Sequence, residues 1–82
     1  MIGFHYVSIL ESRADAAAFY VGRTDDLVSR LANHNGGGVP HTAKQRPWEF
    51  KTVLAFRSLE KAIAFERYLK SGSGRAFAKK RL

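Results

Sequence analysis

Residues 20–35 read YVGRTDDLVSRLANHN, and this stretch decides the fold because a strand ends in it and a helix begins in it. Branched and aromatic residues closed by a glycine indicate a strand over Ala17–Gly22. Either Thr24 or Asp25 is a good helix N-cap, and acidic side chains suit the positive end of a helix dipole. We therefore predict a helix from about residue 26 to residue 34, ended by the Asn-Gly pair that follows.

Segments on either side of this stretch complete a small domain. Phe4–Leu10 is rich in aromatic and branched residues, which indicates a strand that forms an antiparallel hairpin with Ala17–Gly22. The other predicted elements are a loop over 35–47, a strand over 48–56, a helix from Ser58 to about Lys70, a break at 71–74 and a short basic helix over 75–82. The order β-β-α-β-α-α predicts an α+β fold in which a small three-stranded antiparallel sheet is flanked by helices, as a single domain over residues 1–82.

The chain is strongly basic, with 14 lysines and arginines against 7 acidic residues and a net charge of +7. Such an excess favours a polyanionic partner, either nucleic acid or an acidic membrane surface. No apolar run approaches the roughly 20 residues of a membrane span, and the N-terminus lacks the pattern of a signal peptide. The absence of cysteine excludes disulfides and thiolate metal sites and fits a reducing compartment. We expect a cytoplasmic protein that does not bind membranes.

Glu66 lies on the stripe of its predicted helix that is otherwise apolar. It follows Leu59, Ala62 and Ile63 by seven, four and three residues, which places all four on one helix face. A carboxylate at such a position needs a cation nearby. The pattern is compatible with an arginine ion pair and with a metal ion held in a cleft.

Arg30 and His34 are four residues apart on the first helix, beside the apolar positions Leu27 and Leu31, so they project together. A guanidinium can bind two phosphate oxygens at once, although an edge arginine can also lie over the core with its stem. His34 suits the negative end of the helix dipole as well as a catalytic role.

Tyr6 and Tyr20 lie on two strands of the predicted hairpin, which can bring them side by side. They are compatible with packing or with a ligand site, and Gly22 leaves open space beside Tyr20 for a ligand. Trp48 and the phenylalanines of the strands are assigned to the core.

These residues also carry a resemblance to the GIY-YIG nuclease superfamily, related to the nuclease domain of the repair excinuclease. The first signature triplet is His5-Tyr6-Val7, which keeps only the tyrosine, and the second is Tyr20-Val21-Gly22. Residues 23–35 continue the core motif, while residues 42–48 and the stretch from Glu66 to Arg75 resemble the small single-domain members. The polar amide that many relatives carry near the end of the domain has no counterpart after Gly74.

The resemblance implies a role for each residue of the site. Tyr6 and Tyr20 line the site, Arg30 stabilises charge on the phosphate, and Glu66 holds one Mg²⁺ or Mn²⁺ ion. Arg23 and His34 become supporting candidates. The general base stays open between a tyrosine, whose ordinary pKa is about 10, and His34, whose pKa is near neutral.

The predicted function is a metal-dependent endonuclease that hydrolyses phosphodiester bonds of DNA in repair or recombination. The flexible glycine run lets His41, Lys44 and Arg46 reach a nucleic-acid backbone. The other predicted nucleic-acid contacts are Arg23, Lys70 and Arg75. A targeting protein partner and a monomer or weak dimer are expected. The alternatives are a non-catalytic nucleic-acid-binding module with the same fold and a domain that binds an acidic protein.

Overall fold

A computed structural model describes residues 3–82 and shows three strands and four helices within that range. The elements are β1 (His5–Ser12), β2 (Phe19–Thr24), α1 (Leu27–Asn35), α2 (Pro40–Ala43), β3 (Trp48–Phe56), α3 (Leu59–Leu69) and α4 (Gly72–Arg81). The predicted α+β class and the three-stranded antiparallel sheet are confirmed. None of the helices in residues 3–82 is long and apolar enough to cross a membrane.

Strand β1 lies in the middle of the sheet, with β2 and β3 antiparallel on either side. Because side chains alternate along a strand, β1 presents Val7 and Ile9 to one face and Tyr6, Ser8 and Leu10 to the other. Val7 and Ile9 pack with residues of α3 in the main apolar core. The opposite face is covered by α1 and α2 and carries the candidate site.

Helix α1 begins one residue later than predicted, and its N-cap is Asp26 rather than Thr24 or Asp25. The Asp26 side chain accepts a hydrogen bond from the backbone N–H of Ser29. At the other end of the helix, Asn35 bonds both the N–H and the carbonyl of Trp48, where β3 begins. The two bonds join α1 to the sheet.

The segment 35–47, predicted to be a loop, contains the short helix α2. Pro40 occupies its first turn, where a proline sacrifices no helical hydrogen bond. The buried indole of Trp48 donates a hydrogen bond to the carbonyl of Thr42, at 2.9 Å. The prediction was wrong here because the glycine run was extended past Gly38, where helical structure becomes possible.

Helix α3 is capped by Ser58 as predicted, but the segment predicted as a break opens α4. Ser71 caps α4 by accepting from the backbone N–H of Gly74. Gly74 is buried, and a Cβ there would lie 1.6 Å from the carbonyl oxygen of Tyr68. The glycine is therefore required by the close approach of α3 and α4.

Candidate active site

Arg30 of α1 reaches down onto the sheet at Gly22. Its Nε donates a hydrogen bond to the buried hydroxyl of Ser8, at 3.1 Å. A Cβ at position 22 would lie 1.7 Å from Nη2 of Arg30. The open space predicted beside Tyr20 for a ligand is therefore filled by this guanidinium.

One buried nitrogen of the guanidinium has no hydrogen-bond partner within residues 3–82. Nη2 of Arg30 is buried and makes no hydrogen bond to any of residues 3–82. Burial lowers the pKa of Arg30, while the charges of Tyr20 and Glu66 act in the opposite direction. An arginine nevertheless stays protonated in water at any ordinary pH. A buried cation with a free N–H is suited to bind an anionic oxygen.

Tyr20 is surrounded by three basic side chains. Its ring centroid lies 5.5 Å from the Arg30 guanidinium carbon, 4.9 Å from the ring of His34 and 5.3 Å from the ring of His41. The predicted meeting of Tyr20, Arg30 and His34 is therefore observed. His41, predicted as a nucleic-acid contact, joins the same cluster because α2 carries it back over β2.

His34 is 3% exposed, and its Nδ1 lies 2.9 Å from Oγ1 of Thr42. The Thr42 hydroxyl donates its own proton to the carbonyl of Val39, so Oγ1 is left to accept from Nδ1–H. Nε2 of the neutral imidazole is then an acceptor. Burial lowers the pKa of His34, and the charges of Arg30 and His41 lower it further. The side chain is thus a neutral base at pH 7.

Tyr6 and Tyr20 lie on the same sheet face but are not side by side, which corrects the prediction from the hairpin. Tyr6 pairs with Thr24, and Tyr20 pairs with Leu10. The two positions are four residues apart along β1, a distance of about 13 Å on a strand. Tyr6 is 6% exposed, and the Ser8 position that holds Arg30 lies between the two tyrosines.

The Glu66 side chain is 20% exposed at the β2 edge of α3 and has two cationic neighbours. Its carboxylate lies 4.0 Å from Nε of Arg23 and 3.4 Å from Nζ of Lys70. Both contacts are long and both cations are exposed, so each can move aside.

A divalent ion is compatible with Glu66 as its one protein ligand. Residues 3–82 contain no group of three His, Asp or Glu side chains able to enclose a metal. Mg²⁺, however, keeps several waters and needs only one or two carboxylates. The charge of Glu66 acts on Arg30, which places the carboxylate in the electrostatic neighbourhood of the site.

An open cleft of about 580 Å³ lies beside Tyr20, Arg30 and His34. It is lined by Tyr20, Thr24, Ser29, Arg30, Asn33, His34 and Val39. Tyr6 and Glu66 are not part of its lining. The sequence analysis missed two residues that position the site, Ser8 beneath Arg30 and Thr42 beside His34, because neither contact follows a local spacing.

The residues predicted to contact nucleic acid do not form one surface. His41 stacks on Tyr20, whereas Lys44 is exposed where α2 ends and Arg46 lies against Gly37. Lys70 and Arg75 line a second cleft on the opposite face of the sheet. Arg23 lies beside Glu66 at the β2 edge.

Comparisons with known proteins identify the family of the chain. The sequence model of the GIY-YIG catalytic domain matches residues 4–81. The structure-specific endonuclease subunit slx1 of Emericella nidulans is 47% identical over 60% of this chain and 13% of its own length. The corresponding subunit of Candida glabrata is 34% identical over 83% of this chain and 27% of its own length. The chain thus spans less than a third of either relative.

A solved structure shows the same fold. The solution NMR structure of a UPF0213 protein from Bacillus halodurans superposes with a TM-score of 0.57 and 31% identity, covering 94% of this chain and 83% of that one. The family match extends over nearly all of the described residues and includes every residue of the cluster around Tyr20. The chain belongs to the GIY-YIG family.

Proposed function

We propose that this chain is a divalent-metal-dependent endonuclease domain that hydrolyses phosphodiester bonds of DNA, in repair or recombination. The observation that carries the proposal is the Arg30 guanidinium, whose buried Nη2 has no hydrogen-bond partner in residues 3–82 and which belongs to a residue that lines a cleft with Tyr20 and His34. Relatives named structure-specific endonuclease subunits support DNA as the substrate and a protein partner as the source of targeting.

Arg30 binds a non-bridging oxygen of the scissile phosphate in this mechanism. Negative charge on the phosphate oxygens increases as the attacking water approaches phosphorus, so a fixed guanidinium stabilises the transition state more than the substrate. Ser8 and Gly22 hold the guanidinium in place before the substrate binds. The hydrogen bond to Ser8 thus orients the guanidinium before the reaction.

His34 is the general base of the proposed reaction. The hydrogen bond from its Nδ1–H to Thr42 leaves Nε2 free to take a proton from water, and burial keeps the ring neutral. One phosphorus–oxygen bond forms to the water oxygen and one breaks, and the released end of the strand leaves as an alcohol after its oxygen takes a proton from solvent. Tyr20 packs between the base and Arg30 and orients the attacking water with its hydroxyl group. Tyr6 remains a candidate on the same face, beyond Arg30.

Glu66 is the residue that would hold the divalent ion. When bound, Mg²⁺ or Mn²⁺ supplies positive charge to the phosphate and lowers the pKa of coordinated water. Lys70 and Arg23 are the cationic neighbours of this carboxylate. Because both contacts are long, a metal ion could replace the two side chains beside Glu66 without a change in the position of the helix.

A cleavage assay tests the proposal. Labelled single-stranded, duplex and branched DNA are incubated with Mg²⁺, with Mn²⁺ or with a chelator, using the native chain, Arg30→Lys and Glu66→Gln. Glu60→Gln is the matched control, because Glu60 is exposed in the first turn of the same helix. Removal of one transition-state hydrogen-bond donor lowers the rate by about 10²- to 10³-fold, which is the loss expected for Arg30→Lys.

Metal-dependent cutting that is retained by Glu60→Gln and lost by the other two variants supports the nuclease. Cleavage of none of the three substrates, or equal rates for all variants, refutes it. The chain would then be a non-catalytic nucleic-acid-binding module with the same fold.

A further inference from the structure

A second cleft, of about 760 Å³, lies on the sheet face opposite Arg30, between the sheet and helices α3 and α4. Its lining includes apolar side chains of the sheet and of α3, among them Ile9, Val21 and Leu69. Phe19, which was predicted to be core, lines this cleft and is 49% exposed. An exposed ring above an apolar floor is a surface on which a flat apolar group can stack.

The cleft is also strongly basic. Its lining contains Lys51, Lys70, Arg75 and Lys79 and no acidic residue. Within residues 3–82, only Lys70 of these four lies at ion-pair distance from a carboxylate. The ammonium of Lys51 lies 4.8 Å from the centre of the Phe19 ring, so charge and aromatic surface are adjacent. Three uncompensated cations favour an anionic occupant.

The second cleft and the candidate active site have one lining residue in common, at the β2 edge. Tyr20 lies on the edge strand β2 and lines both clefts. A strand of nucleic acid bound at Arg30 would have to pass around the β2 edge to reach the second cleft.

We propose that the second cleft binds an unpaired stretch of DNA, with a base against Phe19 and phosphates on the surrounding lysines and arginine. This inference rests on the proposed function. Single-stranded nucleic acid combines exposed base faces with a charged backbone, and proteins bind it with aromatic side chains in a basic groove. A duplex hides its base faces and offers this cleft only phosphates. The cleft is therefore expected to prefer a single strand to a duplex.

Binding measured without metal tests the inference separately from cleavage. The anisotropy of a labelled oligothymidine of about ten nucleotides is followed in chelator at several salt concentrations, and a duplex of equal length is compared with it. Phe19→Leu should weaken single-strand binding about tenfold, because base stacking on an aromatic ring is lost, and should leave duplex binding unchanged. Phe77→Leu is the matched control, since Phe77 is 38% exposed in the aromatic cluster of α3 and α4.

Two variants that each remove one lysine charge provide a second test of the inference. Lys79→Gln should reduce the salt dependence of single-strand binding by about 0.7 in the log–log slope, the amount for one phosphate contact. Lys80→Gln removes the same charge from the neighbouring residue, which does not line the cleft. It should leave the slope nearly unchanged.

Three results overturn the inference: Phe19→Leu binds single strands as tightly as the native chain, the two lysine variants lose affinity equally, or an oligoglutamate peptide binds more tightly than oligothymidine. The last result assigns the cleft to an acidic protein partner. If the native chain cleaves DNA but Phe19→Leu does not change binding, only this inference is refuted. A tenfold loss of binding by Phe19→Leu, with no cleavage of any DNA, refutes only the nuclease.

Discussion

Replacing Gly22 with alanine tests whether the position of the Arg30 guanidinium controls activity. The new Cβ would lie 1.7 Å from Nη2, 2.4 Å from Cζ and 2.8 Å from Nη1 of Arg30. Ordinary van der Waals contact begins at 3.4 Å, so Nη2 must move by at least 3.4 − 1.7 = 1.7 Å. The backbone of β2 is fixed by its pairing with β1, whereas the guanidinium is the end of a flexible side chain and is the group that moves.

This movement should lower the cleavage rate strongly and change the stability of the fold only slightly. Misplacement of a transition-state group by about 1 Å lowers a rate by about 10²-fold, so we expect kcat/KM to fall at least that much. Loss of the hydrogen bond from Arg30 to Ser8 destabilises the fold by about 0.5–1.5 kcal/mol. Alanine is more stable than glycine in a strand by about 0.5–1 kcal/mol, which nearly offsets that loss. Stability should therefore change by less than about 1 kcal/mol.

Single-turnover cleavage and urea unfolding measure the two quantities. Trp48 is the only tryptophan and is buried, so its fluorescence reports unfolding. Gly72→Ala is the control, because a Cβ at position 72 meets nothing within 4 Å. A Gly22→Ala variant that cleaves DNA within a few-fold of the native rate refutes the reasoning. So does a variant whose lost activity is matched by a loss of folding.

Three further predictions concern the supports of the site and the fold. Thr42→Val leaves Nδ1 of His34 buried without a partner and should lower the free energy of unfolding by about 1–3 kcal/mol in urea, whereas Thr42→Ser should restore most of it. Because burial lowers the pKa of His34 below its ordinary 6.5, the unfolded chain takes up a proton first as the pH falls through 6.5. Stability should then decrease with acidification, and His34→Gln should reduce that slope; an unchanged slope contradicts the assignment. Gly74→Ala forces a Cβ against the Tyr68 carbonyl oxygen, and backbone cannot rotate away as a side chain can, so we expect a loss of about 1–3 kcal/mol in urea unfolding. If Gly74→Ala and the native chain unfold at the same urea concentration, the packing of α3 on α4 is contradicted.

Much of the fold could be predicted from local pattern. Alternation along the strands and the serine cap at Ser58 depend on neighbours in the chain, and the structure confirms both. The errors lie at Pro40–Ala43 and at Gly72, where glycine-rich sequence was interpreted as a break. A helix begins beside each run, because Pro40 suits a first turn and Ser71 caps the turn that follows it.

The candidate site likewise contains some contacts that the sequence predicted and others that it could not predict. Arg30 and His34 were predicted to project together because residues four apart share a helix face, and both contact Tyr20. The contacts of Arg30 with Ser8 and of His34 with Thr42 could not be predicted. Each joins two elements whose relative position depends on packing rather than on spacing in the chain.

The sequence by itself therefore determined the three strands, three of the four helices, the antiparallel sheet, the basic charge and the signature residues of the GIY-YIG family. All of these depend on residue type and short-range order. Only the tertiary structure decided the strand register that separates Tyr6 from Tyr20, and the filling of the space at Gly22 by Arg30. It also decided that Phe19 is exposed, because β2 is an edge strand and one side of it borders an open cleft. These features arise where segments distant in sequence meet, and there the geometry of packing selects among arrangements that the local sequence permits equally.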